Sequence, residues 1–374
     1  MRPDSEADLA QMIAAAKRPL RIQGGGTRDI GGPVGGDVVS VAGLSGVTLY
    51  EPGALTLVAK AGTPVAEIQA LLAGEGQRLG FEPIDYRPLL RTAGTPTIGG
   101  VLATNSSGPR RIQAGAARDF CLGVRFVDGR GEVIKNGGRV MKNVTGYDLV
   151  KLICGSWGRL GVISEVSLKV MAIPETEATL VGHGLSLDAA VARLSAALGS
   201  PFDVTGAAHL GGETRVRLEG LSASVAYRAA ALQSGVLRGF DLVEGEASAQ
   251  MWRDLRDVTP FADKPGAVWR ISVKPSDGPV LVDALASLDP EAILDWGGGL
   301  VWLRVEDTGE AFAPVIRGEV ARLGGHATLV RARATTRAQV PVFPPEPAPI
   351  EALSRALKQK FDPRGILNPG LIGD

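Results

Sequence analysis

Gly24, Gly25 and Gly26 follow directly on the short apolar segment Pro19–Gln23, and a second pair, Gly31-Gly32, comes soon after. Three consecutive glycines leave a loop without side chains and with free access to positive φ, so successive backbone N–H groups can converge on an anion. An isolated loop of this kind serves equally well as a plain turn. Neither familiar nucleotide loop is present: G-x-G-x-x-G would need glycine at position 29, which is Asp29, and no Gly-Lys pair exists for G-x-x-x-x-G-K-[ST]. Glycine is also the one unusual count, 50 of 374 residues, and it is denser before residue 165 than after it.

A second stretch, "RTAGTPTIGGVLATNSSGPRRIQAGAARDFCLG" at 91–123, sets Gly94, Gly99, Gly100 and Gly108 among Thr95, Thr97, Thr104, Ser106 and Ser107, ahead of Arg110, Arg111 and Arg118. Thr97 is placed to cap a short helix whose N-terminal amides would face phosphate oxygens. The apolar "IGGVLAT" argues against a loop lying on the surface. A third stretch, "NVTGYDLVKLICGSWGRLGVISEVSLKV" at 143–170, passes from helix to strand through Gly155, Gly158 and Gly161. Taken alone, those glycines fit C-capping and close packing.

Around these loops the chain reads as a helix over 5–16, strands at 19–23 and 37–41, two β-rich runs divided by Pro52-Gly53, and a helix from 64 to 72. Residues 122–135 predict a hairpin turning at Asp128-Gly129. Residues 147–154 read as helix and 161–171 as a half-buried strand. After Pro174 glycine thins and strand-like and helix-like segments alternate to about 335, which predicts a second α+β domain. The Pro-rich "VPVFPPEPAP" at 340–349 reads as an extended linker before a final helix at 350–361.

With 40 basic and 40 acidic residues, no global field favours nucleic acid or an anionic membrane. Apolar runs such as "DAAVARLSAALG" fall short of the roughly 20 residues of a membrane span. The N-terminus carries early acidic residues and lacks a long apolar core, so it reads as a capped amphipathic helix rather than a secretory signal. Cys121 and Cys154 form no C-x-x-C pair, and His183, His209 and His326 have no metal-ligand spacing. No metal site, iron–sulfur cluster or disulfide framework is expected, and a reducing cytoplasm fits.

Together the three glycine stretches, in this order, resemble the FAD-binding domain of the vanillyl-alcohol oxidase family, the PCMH-type FAD domain. The resemblance covers about residues 1–172, and "LKQKFDPRGILNPG" at 357–370 resembles the family's closing motif. It implies an α+β fold of three parts: a two-subdomain FAD-binding domain at 1–172, a smaller ferredoxin-like α+β cap at 173–339, and a linker and C-terminal helix at 340–374 returning to the FAD domain. It also implies a cofactor-contact set. The first loop would contribute Gln23, Gly24, Gly25, Gly26, Thr27 and Arg28. The second would contribute Gly94, Thr95, Ile98, Gly99, Gly100, Ala103, Thr104, Asn105, Ser107, Gly108, Arg110 and Arg111. Gly158, Gly161, Val162 and Ile163 would come from the third, and Asn368 from the closing motif. Several members bind flavin covalently through a histidine at the end of the first loop; Thr27 stands there, so the FAD is expected to be non-covalent.

Within the family the short second domain is most similar to FAD-binding subunits of glycolate oxidase, which imply a longer flavoprotein subunit and an iron–sulfur subunit as partners. Such partners could also hold the chain at the inner membrane. Longer relatives carry G-H-x-G-D-G-N-x-H in the substrate domain, and this chain has only "DWGGGLVWLRV" at 295–305. Three readings follow: a subunit that oxidises a 2-hydroxy acid such as glycolate within a complex, a stand-alone hydroxy-acid dehydrogenase or oxidase, and a non-catalytic assembly subunit. In "AVWRISVKP" alternation sends Arg270 and Ser272 to one face and Trp269 and Ile271 to the other. Arg270 could clamp a carboxylate and His326 could act as base, yet a solvated strand face explains both, and neither is assigned a catalytic role from sequence.

Overall fold

The computed structural model describes residues 1–140 and 146–372; residues 143–145 of the third glycine stretch lie outside the described residues. The chain divides into two units. The first comprises Met1–Ser107, Gly115–Ile173 and Pro345–Asp374, and the second Gly108–Ala114 with Pro174–Pro344. One break between the units lies between Ile173 and Pro174. The assignment of 108–114 to the second unit has no counterpart in the sequence reading.

In the first unit the helix Glu6–Ala15 begins at Ser5, whose Oγ accepts the Asp8 N–H, and buries Leu9 and Ile13 one turn apart. They pack with Leu20, Val39, Val127, Val162 and Leu367. β1 (Leu20–Gln23) pairs in parallel with β2 (Asp37–Ser40), and Leu367 bridges Leu20 from the closing motif. A second sheet is antiparallel, with strands β3 (Val47–Glu51), β4 (Thr56–Lys60), β6 (Cys121–Val127), β7 (Val133–Gly137) and β8 (Val162–Ala172) in the order β3-β4-β8-β6-β7. β5 (Gln77–Leu79) pairs with the far end of β8. Along β8 buried and half-buried residues alternate, as a strand covered on one face requires.

The β6–β7 hairpin corrects the expected two-residue turn. Its loop runs from 128 to 132, and the Asp128 carboxylate closes it by accepting the N–H groups of Arg130 (2.8 Å) and Glu132 (2.9 Å). Positive φ falls on Gly131, at +87°, rather than on Gly129. An aspartate that binds backbone two and four residues ahead builds a wider loop than a type I′ turn.

The second unit repeats one motif. β9 (Thr176–His183), the helix Leu187–Leu198, β10 (Gly206–Leu210), β11 (Glu213–Gly220), the helix Ser222–Ser234 and β12 (Asp241–Glu244) form a βαββαβ half with strand order β12-β9-β11-β10. β13 (Ala267–Ser272), the helix Asp277–Ala284, β14 (Glu291–Asp295), β15 (Leu300–Val305), the helix Ala313–Arg322 and β16 (His326–Arg331) form another, with order β14-β15-β13-β16. The halves join through antiparallel β10 and β14, so the sheet has eight strands. Each half is ferredoxin-like, and the cap is therefore doubled. In the second half Trp269, Ile271, Val301, Leu303 and Leu329 face the helices and pack with Leu281, Ile316 and Val320. The Trp269 indole N–H reaches the Ala311 carbonyl at 3.0 Å, as a buried tryptophan requires.

Candidate functional site

The first two glycine loops interlock. A β-carbon on Gly94 would lie 1.6 Å from the Gly25 carbonyl oxygen, and one on Gly25 would lie 1.6 Å from the Thr95 oxygen. At Gly24 it would meet Thr97 Oγ1 at 2.3 Å. These glycines are glycines because two backbones touch there. Gly26 differs: its φ is +70° and its missing side chain faces open space. Among the described residues the N–H groups of Gly25, Gly26 and Thr27 donate to no protein acceptor. Gln23 ends β1 opposite Ser40, whose hydroxyl donates to the Gly24 carbonyl at 3.2 Å and fixes the start of the loop.

Thr27 is buried, and its carbonyl accepts the Thr92 hydroxyl at 3.3 Å. Arg28 follows, with Nη2 on the Ile84 carbonyl at 3.2 Å, Nη1 on Thr27 Oγ1 at 3.4 Å, and its guanidinium 5.9 Å from the Tyr86 ring centre. Among the described residues its buried Nε has no hydrogen-bond partner. Burial holds the guanidinium below its ordinary pKa, the mark of a cation without enough compensation.

The helix Ile98–Thr104 begins where Thr97 predicts, with Thr97 Oγ1 accepting the Gly100 N–H at 3.3 Å. The expectation that its first amides face phosphate is corrected. Ile98 N donates to Thr63 O at 3.0 Å and Gly99 N to Ala61 O at 2.8 Å, so the helix start is satisfied internally. Gly99 allows that approach, since a β-carbon there would meet Ala61 Cβ at 2.6 Å. The helix ends at Asn105 in the left-handed region, φ +49°, a position that asparagine tolerates. Thr104 Oγ1 donates back to the Gly100 carbonyl, and the Ala103 carbonyl accepts Trp157 N.

Beyond it, Asn105 Oδ1 accepts Arg118 N at 3.0 Å, and Ser107 Oγ accepts Ala117 N at 2.9 Å while donating to Asn105 O. Ser107 is thus engaged in holding its own loop. Among the described residues the hydroxyls of Ser106 and Ser156 are buried without hydrogen-bond partners. The signal for Ser106 is weak, because two adjacent serines are indistinguishable until the turn at Asn105 orients them.

The remaining expected residues act mainly as supports. Gly158, φ +71°, lies against Asn368, while a β-carbon on Gly161 would enter the Phe126 ring at 2.4 Å. Val162 and Ile163 pair with Val127 and Phe126 inside the sheet. Asn368 braces the loop: its Oδ1 accepts Ile22 N at 2.7 Å and its Nδ2 donates to Trp157 O at 2.9 Å.

Gly108, Arg110 and Arg111 belong to the second unit. The Gly108 carbonyl accepts the Trp296 indole N–H at 3.3 Å. Arg110, expected at the diphosphate, donates with both ends of its guanidinium to the Glu219 carboxylate, and both side chains are buried. Arg111 lies over the Trp296 ring, 4.8 Å from its centre. On the sheet face away from the helices, Arg270 lies 5.2 Å from the same ring and 6.0 Å from that of Trp302. His326 pairs with Ser272 and Thr328 with Arg270, so these four share that face.

Among known proteins, a family described as FAD binding domain matches residues 1–137. Glycolate oxidase subunit GlcE of Escherichia coli (strain K12) is 37% identical over 371 residues, covering 98% of this chain and 96% of that protein. Glycolate oxidase subunit GlcD of Bacillus subtilis (strain 168) is 29% identical over 195 residues, 51% of this chain and 40% of that protein. Among solved structures, an alkyldihydroxyacetonephosphate synthase superposes with a TM-score of 0.69 at 17% identity, covering 99% of this chain and 76% of that one, a likeness of fold.

Proposed function

The chain belongs to the PCMH-type FAD-binding oxidoreductase family that includes glycolate oxidase subunit GlcE, and from that premise we propose that it is the FAD-binding subunit of a complex oxidising glycolate to glyoxylate. The observation that carries this reading is likeness to GlcE along both units, not along the FAD domain alone. The residues present fit the cofactor. Gly25, Gly26 and Thr27 offer backbone N–H groups and Arg28 a buried, under-compensated cation, a donor set suited to a diphosphate. Ser106 and Ser156 add hydroxyl groups. Thr27 has no nucleophilic nitrogen, so the cofactor is held without a covalent bond.

When bound, FAD supplies a two-electron acceptor for the hydride that leaves the α-carbon of a 2-hydroxy acid. The protein contributes a fixed anion cradle in its first unit and cationic and imidazole groups in its second. Cys121 and Cys154 are too few to hold an iron–sulfur cluster, so electrons pass to a longer flavoprotein subunit and an iron–sulfur subunit. No helix among the described residues is long and apolar enough to cross a membrane, and any attachment at the inner membrane runs through those partners.

The test is the visible spectrum of the purified chain, before and after acid precipitation, then anaerobic glycolate addition with and without the two partners. Flavin that leaves with the supernatant and bleaches with glycolate in the assembled complex supports the reading. A chain that binds no flavin, alone or assembled, overturns it. Bleaching of the chain alone would place the whole oxidation in this subunit.

A further inference from the structure

Within the first unit, the segment 84–92 is fastened to the first glycine loop at both ends. At one end Arg28 Nη2 donates to the Ile84 carbonyl at 3.2 Å, and at the other the Thr92 hydroxyl donates to the Thr27 carbonyl at 3.3 Å. Between them runs the short helix Arg87–Leu90, with Leu89 fully buried as its anchor. The Leu90 N–H closes that turn on the Tyr86 carbonyl at 2.8 Å. A segment tied at both ends and anchored in the middle holds its side chains in fixed positions, as a binding site requires.

Tyr86 is held in this way. It is 7% exposed, and its ring centre lies 5.9 Å from the Arg28 guanidinium carbon. Among the described residues its hydroxyl makes no hydrogen bond. A buried tyrosine ordinarily finds a partner for its O–H, and one that does not carries a desolvation cost that a bound acceptor removes. Arg28 cannot be that acceptor, because a guanidinium only donates. The adjacent Asp85 carboxylate already accepts Arg87 Nε at 3.0 Å and Arg87 Nη2 at 2.7 Å. A phenol O–H beside a buried cation is satisfied best by an anion rich in acceptor oxygens.

We propose that Tyr86 is a cofactor-binding residue whose hydroxyl donates to the diphosphate of FAD beside Arg28, so that the segment 84–92 completes the anion cradle begun by the loop 24–27. This rests on reading the first unit as the holder of FAD. It adds a donor from outside all three glycine stretches, which no pattern in the sequence marks.

The experiment titrates the flavin-free full chain with FAD, followed by flavin fluorescence, and then displaces FAD with ADP, which carries the diphosphate and lacks the flavin. Tyr86→Phe keeps the ring against Arg28 and removes only the hydroxyl. The flavin-free variant should melt at the wild-type temperature. Its dissociation constants for FAD and ADP should rise by the same factor, about tenfold or more, the scale of a hydrogen bond to a charged group. Unchanged FAD affinity would overturn the assignment. So would a loss for FAD that ADP does not share, which places the hydroxyl on the flavin half, or ADP that fails to displace FAD from the wild-type chain. A lower melting temperature without flavin would overturn it too, since the hydroxyl would then bond within the protein. FAD bound equally by wild type and variant refutes the role of Tyr86 and leaves the cofactor reading intact; a wild-type chain that binds no FAD refutes the cofactor reading.

Discussion

Arg110 and Glu219, 109 residues apart in the chain, meet as a buried two-pronged ion pair, with Arg110 Nη2 at 2.6 Å from Glu219 Oε1. Arg217 stands 3.7 Å from the same carboxylate and lies over the Trp252 ring. This pair holds the short segment 108–114 in the second unit. Removing one partner leaves the other charge buried, which costs about 3–5 kcal/mol, whereas replacing both with apolar groups costs far less. Glu219→Leu and Arg110→Met should each lower stability by that amount in chemical denaturation. The double variant should lose far less than the sum of the two single losses. Simple additivity would show that the two side chains do not act as a pair.

The two classes of glycine in the first loop should separate experimentally. Gly25→Ala places a methyl group against the Thr95 carbonyl, so the flavin-free protein itself should melt several degrees lower and take up little FAD. Gly26→Ala meets no atom and should cost only the left-handed strain, about 1–2 kcal/mol. It should still bind flavin. Equal losses in the two variants, read by melting temperature and flavin absorbance, would refute the interlocked loops as the reason for Gly25.

Glu6 ties the first helix to the sheet, accepting Arg125 Nε at 3.0 Å and the Ser164 hydroxyl at 2.6 Å. The Arg125 hydrogen bond is the main cause that holds its carboxyl below the usual range; partial burial opposes it. A folded pKa lower than the unfolded one gives stability that is complete above the unfolded value, about 4.3 for glutamate, and is lost as pH falls through the folded value. Glu6→Gln should therefore cost about 0.5–1 kcal/mol at pH 7, the scale of a partly exposed pair. The difference from wild type should shrink below pH 4. A gap that widens in acid would contradict the assignment.

Local chemistry was legible wherever a residue acts on its own neighbours. Thr97 before "IGGVLAT" announces a capped helix, and alternation in "AVWRIS" places Trp269 in the core and Arg270 on the other face. Asp128 shows where such reading stops, because the choice between a tight turn and a five-residue loop depends on which amides its carboxylate captures. The partners of Arg110 and Asn368 lie far along the chain, where no local pattern announces them. The cluster on Trp296 was hidden for the same reason: strand register and a segment from residue 111 bring it together.

Arg28 offers the sharpest separation of ligand binding from folding. Among the described residues its Nε is buried without a hydrogen-bond partner, and burial depresses its pKa, so in the flavin-free protein the charge is a liability rather than a support. Its hydrogen bonds to Ile84 O and Thr27 Oγ1 offset only part of that cost. Arg28→Met keeps most of the volume and removes the cation. The flavin-free variant should melt at or slightly above the wild-type temperature, because a desolvated charge that Asp85 offsets only in part has gone. Its dissociation constant for FAD, followed by flavin fluorescence, should rise about tenfold or more, since a charge-assisted bond to the diphosphate is lost. Only an anion supplied from outside the protein reconciles unchanged stability with weakened binding. A lower melting temperature with unaltered FAD affinity would instead make Arg28 part of the scaffold and move the diphosphate elsewhere.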